Sequence, residues 1–117
     1  MNVFLSKSAI ELEFQSVDFI LKTQRQIAKD FNLSSVDFDT VFLNQELDYD
    51  EILIEIQNKL VEVMKLGETQ LLQLLYQIDI PQNHFLELLN KPTLEVLLSD
   101  LILRREAYKV HLRNRFS

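Results

Sequence analysis

The last quarter of the chain constrains the fold most, because residues 91–117 are predicted to form one long helix with two apolar faces. At 100° per residue, the first face occupies about a third of a turn, and it contains Leu94, Leu97, Leu98, Leu101, Tyr108 and Leu112. The opposite face contains Val96, Leu103, Ala107 and Val110, with Ile102 between the two. A helix on a protein surface needs only one apolar face. This helix is therefore predicted to lie between two layers of protein.

The composition favours helices throughout the chain. Leucine, with 22 residues, outnumbers the 17 β-branched aliphatic residues, and the sequence contains one glycine and two prolines. Turn formers near residues 30–35, the glycine at Gly67 and the prolines Pro81 and Pro92 separate the helical stretches, the first of which is predicted to run from Ser8 to about Lys29. We predict an all-α fold: a single-domain bundle (residues 1–117) of five to six helices, ending in a long C-terminal helix that starts near Pro92.

Targeting and redox signals are absent from the sequence. There is no cysteine, no secretory signal pattern at the start, and no run approaching the ~20 apolar residues of a membrane span. These features predict a cytoplasmic protein that does not enter a membrane.

The charge changes sign near Asp100. Residues 1–100 contain 7 basic and 17 acidic residues, whereas residues 101–117 contain five basic residues and one acidic residue. Cations suit the C-terminal turns of a helix, where the macrodipole is negative, and they can pair with the acidic remainder of the protein. The same cluster supplies a possible anion-binding set, which consists of Arg104, Lys109, Arg113 and Arg115.

Arg105 differs from these four because it falls inside the first apolar face of the terminal helix. An arginine in such a position either extends its head group to water or meets a carboxylate. The prediction is an ion pair with an acid from another helix, such as Asp79 or Asp18.

Catalytic and metal signatures are missing. Without cysteine and with one glycine, the chain has neither a thiol nucleophile nor a phosphate-cradling loop. His84 and Glu87 supply two potential metal ligands where a site needs more, and the acidic segment from Asp37 to Asp48 lacks the calcium-loop pattern. Glu51, Glu55 and Glu62 have no second acidic helix to complete a magnesium site. The prediction is a protein that is not an enzyme, with no catalytic residue, no metal and no cofactor.

Two interaction modes remain open. Val96, Leu103 and Val110 recur every seven residues, which suits packing against another helix. That helix belongs either to a second copy of the chain, giving a homodimer, or to the same bundle. The expectation is a protein-protein interaction or regulatory protein, and self-association through the C-terminal helix is one form of it.

The alternative is nucleic-acid binding through a degenerate helix-turn-helix at residues 74–91, assisted by the basic C-terminal helix. Leu74, Ile78, Ile80, Phe85 and Leu88 have the apolar spacing of that motif. However, the recognition-helix segment has no basic residue before Lys91, although phosphate contacts supply most of the affinity for DNA.

The C-terminal half also carries a family resemblance. Residues 74–80 (LLYQIDI), 101–106 (LILRRE) and 109–110 (KV) resemble small all-helical bacterial proteins of unknown function. The resemblance implies a bacterial cytosolic context and supplies no catalytic residue.

Overall fold

This computed structural model describes residues 3–116 of the chain, which contain seven helices and no strand. The helices are α1 (Lys7–Glu13), α2 (Val17–Asn32), α3 (Thr40–Asn44), α4 (Tyr49–Leu66), α5 (Glu68–Ile78), α6 (Gln82–Leu86) and α7 (Leu94–Phe116). The all-α class and the long C-terminal helix are therefore confirmed. The number of helices exceeds the prediction because the first predicted helix is two helices.

The break between α1 and α2 lies at Ser16. The Ser16 hydroxyl accepts a hydrogen bond from the backbone N–H of Phe19 and so caps α2. The apolar spacing continues across the break, with Ile10 buried before it and Phe19 and Ile20 buried after it. Periodicity alone therefore cannot reveal where one helix ends and the next begins.

The ends of α4 follow the sequence signals closely. Asp48 and Glu51 form a capping box at its start, in which each side chain accepts a hydrogen bond from the other residue's backbone N–H. Gly67 ends the helix with φ at 125° and ψ at 168°, a conformation that only glycine adopts readily. The predicted stop at this glycine is confirmed.

Helix α7 lies at the centre of the bundle, in contact with α1, α2, α4 and α5. It runs antiparallel to α2, because Lys22, Gln26 and Asp30 contact Asn114, Arg113 and Lys109 in that order. Tyr49 joins it to α4 by donating a hydrogen bond to Asp100 Oδ1 at 3.0 Å, and burial together with this carboxylate raises the pKa of the tyrosine hydroxyl. The predicted position between layers is confirmed, and the layers belong to the chain itself.

The two apolar faces of α7 are buried to different extents. The second face is the better buried one, since Leu103, Ala107 and Val110 are fully buried. From the first face only Leu98 is fully buried, while Leu97 is exposed and the others are half-buried. Leucine side chains are often partly exposed, and their spacing in the sequence does not distinguish a fully buried leucine from a partly exposed one.

The apolar interior has two parts. A large cluster draws residues from every helix except α1 and includes Phe31, Phe42, Ile56, Leu75 and Leu103. A smaller cluster joins α1, α2 and α7 through Ile10, Phe19, Ala107 and Val110. Among the described residues, no helix is both long and apolar enough to cross a membrane.

Arg105 connects α7 to two segments that lie outside it. Its Nη2 atom donates to Asp79 Oδ2 at 2.9 Å, Nε donates to the Asp79 carbonyl oxygen, and Nη1 donates to the carbonyl oxygen of Val3. Of the two acids named from the sequence, Asp79 is thus the partner. It occupies the turn between α5 and α6 in the left-handed conformation, with φ at 68°.

Replacing Arg105 by methionine is expected to lower the free energy of unfolding by about 1–3 kcal/mol, because three hydrogen bonds from a charged donor are lost. Asp79→Asn should cost only a few tenths, since the Asp79 side chain is 79% exposed and asparagine tolerates its backbone conformation. Urea unfolding of both variants measures the difference. Unchanged or improved stability of Arg105→Met would rule out an important folding contact.

Candidate anion-binding groove

An open groove of about 420 Å³ runs between α2 and α7, and most of its lining is basic or amide. The α2 wall contributes Lys22, Arg25, Gln26 and Lys29, and the α7 wall contributes Val110, Arg113 and Asn114. No acidic or aromatic side chain belongs to this lining. We refer to these seven residues as the α2–α7 groove.

The α2 cations lie on one face of the helix because they are spaced three and four residues apart. They account for three of the 7 basic residues in the first 100 positions of the chain. The antiparallel packing of α2 on α7 then brings Arg113 to the opposite wall. An acidic chain therefore concentrates four cations at one place.

Both arginines of the groove are tethered through one nitrogen. Arg25 Nε donates to the carbonyl oxygen of Leu43 at 2.9 Å, and Arg113 Nη2 donates to Gln26 Oε1 at 2.7 Å. A guanidinium group has five N–H donors, so each tether leaves several donors for a ligand. The tethers also reduce the conformational entropy that binding would cost.

The two lysines are only weakly engaged. Lys22 Nζ lies 3.1 Å from Asp18 Oδ2 in an exposed pair and 3.3 Å from Asn114 Oδ1, and an exposed pair of this kind contributes little. Within the described residues, the Lys29 side chain makes no hydrogen bond or ion pair and is exposed. The positive charge of this wall remains available.

A buried cluster of three ionisable side chains adjoins the groove. Lys109 Nζ lies 3.0 Å from both Asp30 Oδ2 and Glu106 Oε1, and both acids are buried. As a carboxylate, Glu106 would receive no aligned hydrogen bond at either oxygen, despite the nearby lysine. Burial and the neighbouring Asp30 raise the pKa of Glu106 well above its ordinary value. A protonated Glu106 can donate to Asp30, whereas two carboxylates would both be acceptors.

Gln26 connects this cluster to the groove. Its Nε2 atom donates to both carboxylate oxygens of Asp30 at 3.2 Å, which orients its Oε1 atom towards Arg113. A buried acid thus fixes the amide that in turn positions a groove arginine.

The predicted anion-binding set does not come together. Arg104 donates to the carbonyl oxygen of Leu5 and stacks on Phe4, while Lys109 is engaged by the two buried acids. Arg115 lies near the end of α7 beside Phe116 and does not line the groove. Only Arg113 does. The three α2 cations were missed, although their spacing on one helical face is visible in the sequence.

The predicted interaction face, formed by Val96, Leu103 and Val110, is not one surface. Leu103 and Val110 are fully buried, whereas Val96 is 44% exposed. Val110 packs in the small cluster with α1 and α2, so the bundle itself covers this side of α7. Of the two alternatives left open by the sequence, packing within the bundle accounts for Leu103 and Val110, and a second copy could reach only Val96 without disrupting the core.

The helix-turn-helix segment is shorter than the motif requires. Helix α6 contains only residues 82–86, followed by turns to residue 93. The apolar residues of the pattern are buried as its spacing predicts, except that Leu88 is half-buried. Its exposed polar residues include no cation before Lys91, and Asp79 in the turn is occupied by Arg105.

Metal-ligating side chains remain scattered over the described part of the chain, where no three of them approach closely enough to hold an ion. His84 packs edge-on against Phe4, with ring centroids 4.9 Å apart. Glu51 is engaged in the capping box of α4.

Comparisons of the chain with protein-family models, with curated proteins and with solved structures give no match. The case for function therefore rests on the groove and its surroundings.

Proposed function

We propose that the protein is a non-enzymatic protein-protein interaction protein and that its partner docks at the α2–α7 groove. The observation that carries the proposal is the concentration of four cations, each with unused donors, on a chain whose net charge is −6. Solvated charge runs on helices usually alternate in sign or pair along the helix. Here the cations lie on two helices distant in sequence and face one groove.

The surrounding architecture supports a binding role. The groove walls are two of the longer helices, and they are fixed to each other by the small apolar cluster and by the buried Asp30–Lys109 pair. Sites on rigid helices hold their side chains more accurately than sites on loops. A partner would therefore meet a preformed surface, with complementary charge mainly accelerating association and selecting the partner.

A capture experiment with matched variants tests the proposal. Lys22→Gln/Lys29→Gln removes two groove charges, and Lys65→Gln/Lys91→Gln removes two exposed charges elsewhere, so both have the same net charge. Each immobilised protein is exposed to lysate, with and without nuclease treatment, from the cells that encode the chain. We expect a protein that is retained by the wild type and the control variant and is lost from the groove variant.

Two results would contradict the proposal. Equal retention by both double variants would place the contact outside the groove. Retention that disappears on nuclease treatment would favour the nucleic-acid alternative, whose salt dependence should then be steep.

A further inference from the structure

We infer that the occupant of the α2–α7 groove is a short acidic segment of a protein, whose carboxylates pair with Lys22, Arg25, Lys29 and Arg113. This inference rests on the proposed function and names the chemistry of the partner. Four observations support it. They are the length of the row of cations, the N–H donors that the arginines have left for a ligand, the lack of an aromatic side chain in the groove lining, and the acidic residues beyond each end of the row.

The length of the array suits a short peptide. Lys22 and Lys29 are seven residues apart on α2, which corresponds to a rise of about 10 Å. Two turns of helix, or about three extended residues, cover the same distance. Carboxylates three or four residues apart on a partner helix would repeat with the spacing of the α2 cations.

The donors match carboxylates well. The remaining nitrogens of Arg25 and Arg113 can form paired hydrogen bonds to a carboxylate, and the two lysines supply compact charges. The amide groups of Gln26 and Asn114 add polar contacts between the charged positions. Val110 lines the groove but is fully buried, so no apolar anchor is offered. Binding should therefore be moderate in affinity and sensitive to salt.

A nucleic acid fits this groove less well. Single-stranded nucleic acids usually combine phosphate contacts with bases stacked on aromatic side chains, and no aromatic residue lines the groove. Acids also lie beyond each end of the array, with Asp18 beside Lys22 and Asp37 lining the pocket that adjoins Lys29. A long polyanion that extends past the cations would meet like charges.

The test is fluorescence anisotropy with three labelled probes: a helix-forming glutamate–alanine peptide, its glutamine–alanine counterpart, and a single-stranded DNA oligonucleotide of the same net charge as the first. The full chain should bind the glutamate peptide more tightly than the other two. Lys22→Gln/Lys29→Gln should weaken this binding roughly 4-fold, because each of the two exposed ion pairs contributes a factor of about two. The control Lys65→Gln/Lys91→Gln should bind as the wild type does.

Side-chain amide resonances of Gln26 and Asn114 give an independent readout, since both residues line the groove. Their shifts on addition of the glutamate peptide locate the contact. Tighter binding of the oligonucleotide, equal losses in the two double variants, or no binding of the glutamate peptide would each overturn the inference. If a protein partner is nevertheless captured only through the groove, the proposed function stands and its chemistry is different.

Discussion

Replacing Lys109 by methionine is expected to lower the free energy of unfolding by about 3–5 kcal/mol, the usual cost of removing one member of a buried ion pair. With Glu106 protonated, the cluster contains one negative charge on Asp30 and one positive charge on Lys109. The methionine leaves Asp30 buried without a counter-ion, since its remaining partners in the cluster, the Gln26 amide and the protonated Glu106, are both neutral. Urea denaturation at neutral pH measures the loss.

The matched control is Lys65→Met, which removes an exposed lysine from the last turn of α4 and should change stability by no more than about 0.5 kcal/mol. Adding Asp30→Asn to Lys109→Met should recover much of the loss, because the unpaired charge is then gone. A loss below about 1 kcal/mol for Lys109→Met alone would mean that Lys109 is not an important counter-ion for the buried Asp30.

The terminal helix illustrates what spacing can and cannot establish. Its two apolar faces required a central place in the bundle or a second subunit, and the structure provides the central place through α2 and α4. Which face is more deeply buried depends on how the four neighbouring helices cross α7. Leucine spacing is the same for full and partial burial, so the sequence does not rank the two faces by burial.

The candidate site shows the same limit at longer range. The face shared by Lys22, Arg25 and Lys29 follows from helical spacing. Their meeting with Arg113 depends on the antiparallel register of α2 and α7, which joins residues 87 positions apart at the Gln26–Arg113 contact. No local pattern encodes that register. The pairing of Arg105 could be anticipated because a charge inside an apolar face demands a partner.

Glu106 could have been recognised by the same reasoning, because it lies between Leu103 and Val110 on the face that proves to be buried. By charge alone, Glu106 is simply the one acid among the five basic residues of positions 101–117. Its place on the helix, and not its charge, is the informative property.

The second large effect is a dependence of stability on pH that Glu106 should produce and Glu106→Gln should remove. The ordinary pKa of this carboxyl group is 4.5, and burial raises the pKa in the folded protein. Between the two values the folded state holds a proton that the unfolded state has released, so the free energy of unfolding falls as pH rises. The stabilisation is complete below the unfolded pKa and is lost as pH passes through the folded one. The slope contributed by one proton is at most about 1.4 kcal/mol per pH unit.

Urea unfolding at a series of pH values, compared between the wild type and Glu106→Gln, isolates this contribution because the remaining titratable groups are common to both. Glutamine keeps the size of the side chain and cannot ionise. The Glu106→Gln variant should therefore become progressively more stable than the wild type as pH rises from about 4.5. Glu68→Gln is a suitable control, since Glu68 is exposed in the first turn of α5 and should leave the slope nearly unchanged. Parallel pH profiles for the wild type and Glu106→Gln would mean that folding does not raise the pKa of Glu106 and that this residue is ionised in the folded protein at neutral pH. The cluster would then carry a net negative charge, and the cost expected for Lys109→Met would rise accordingly.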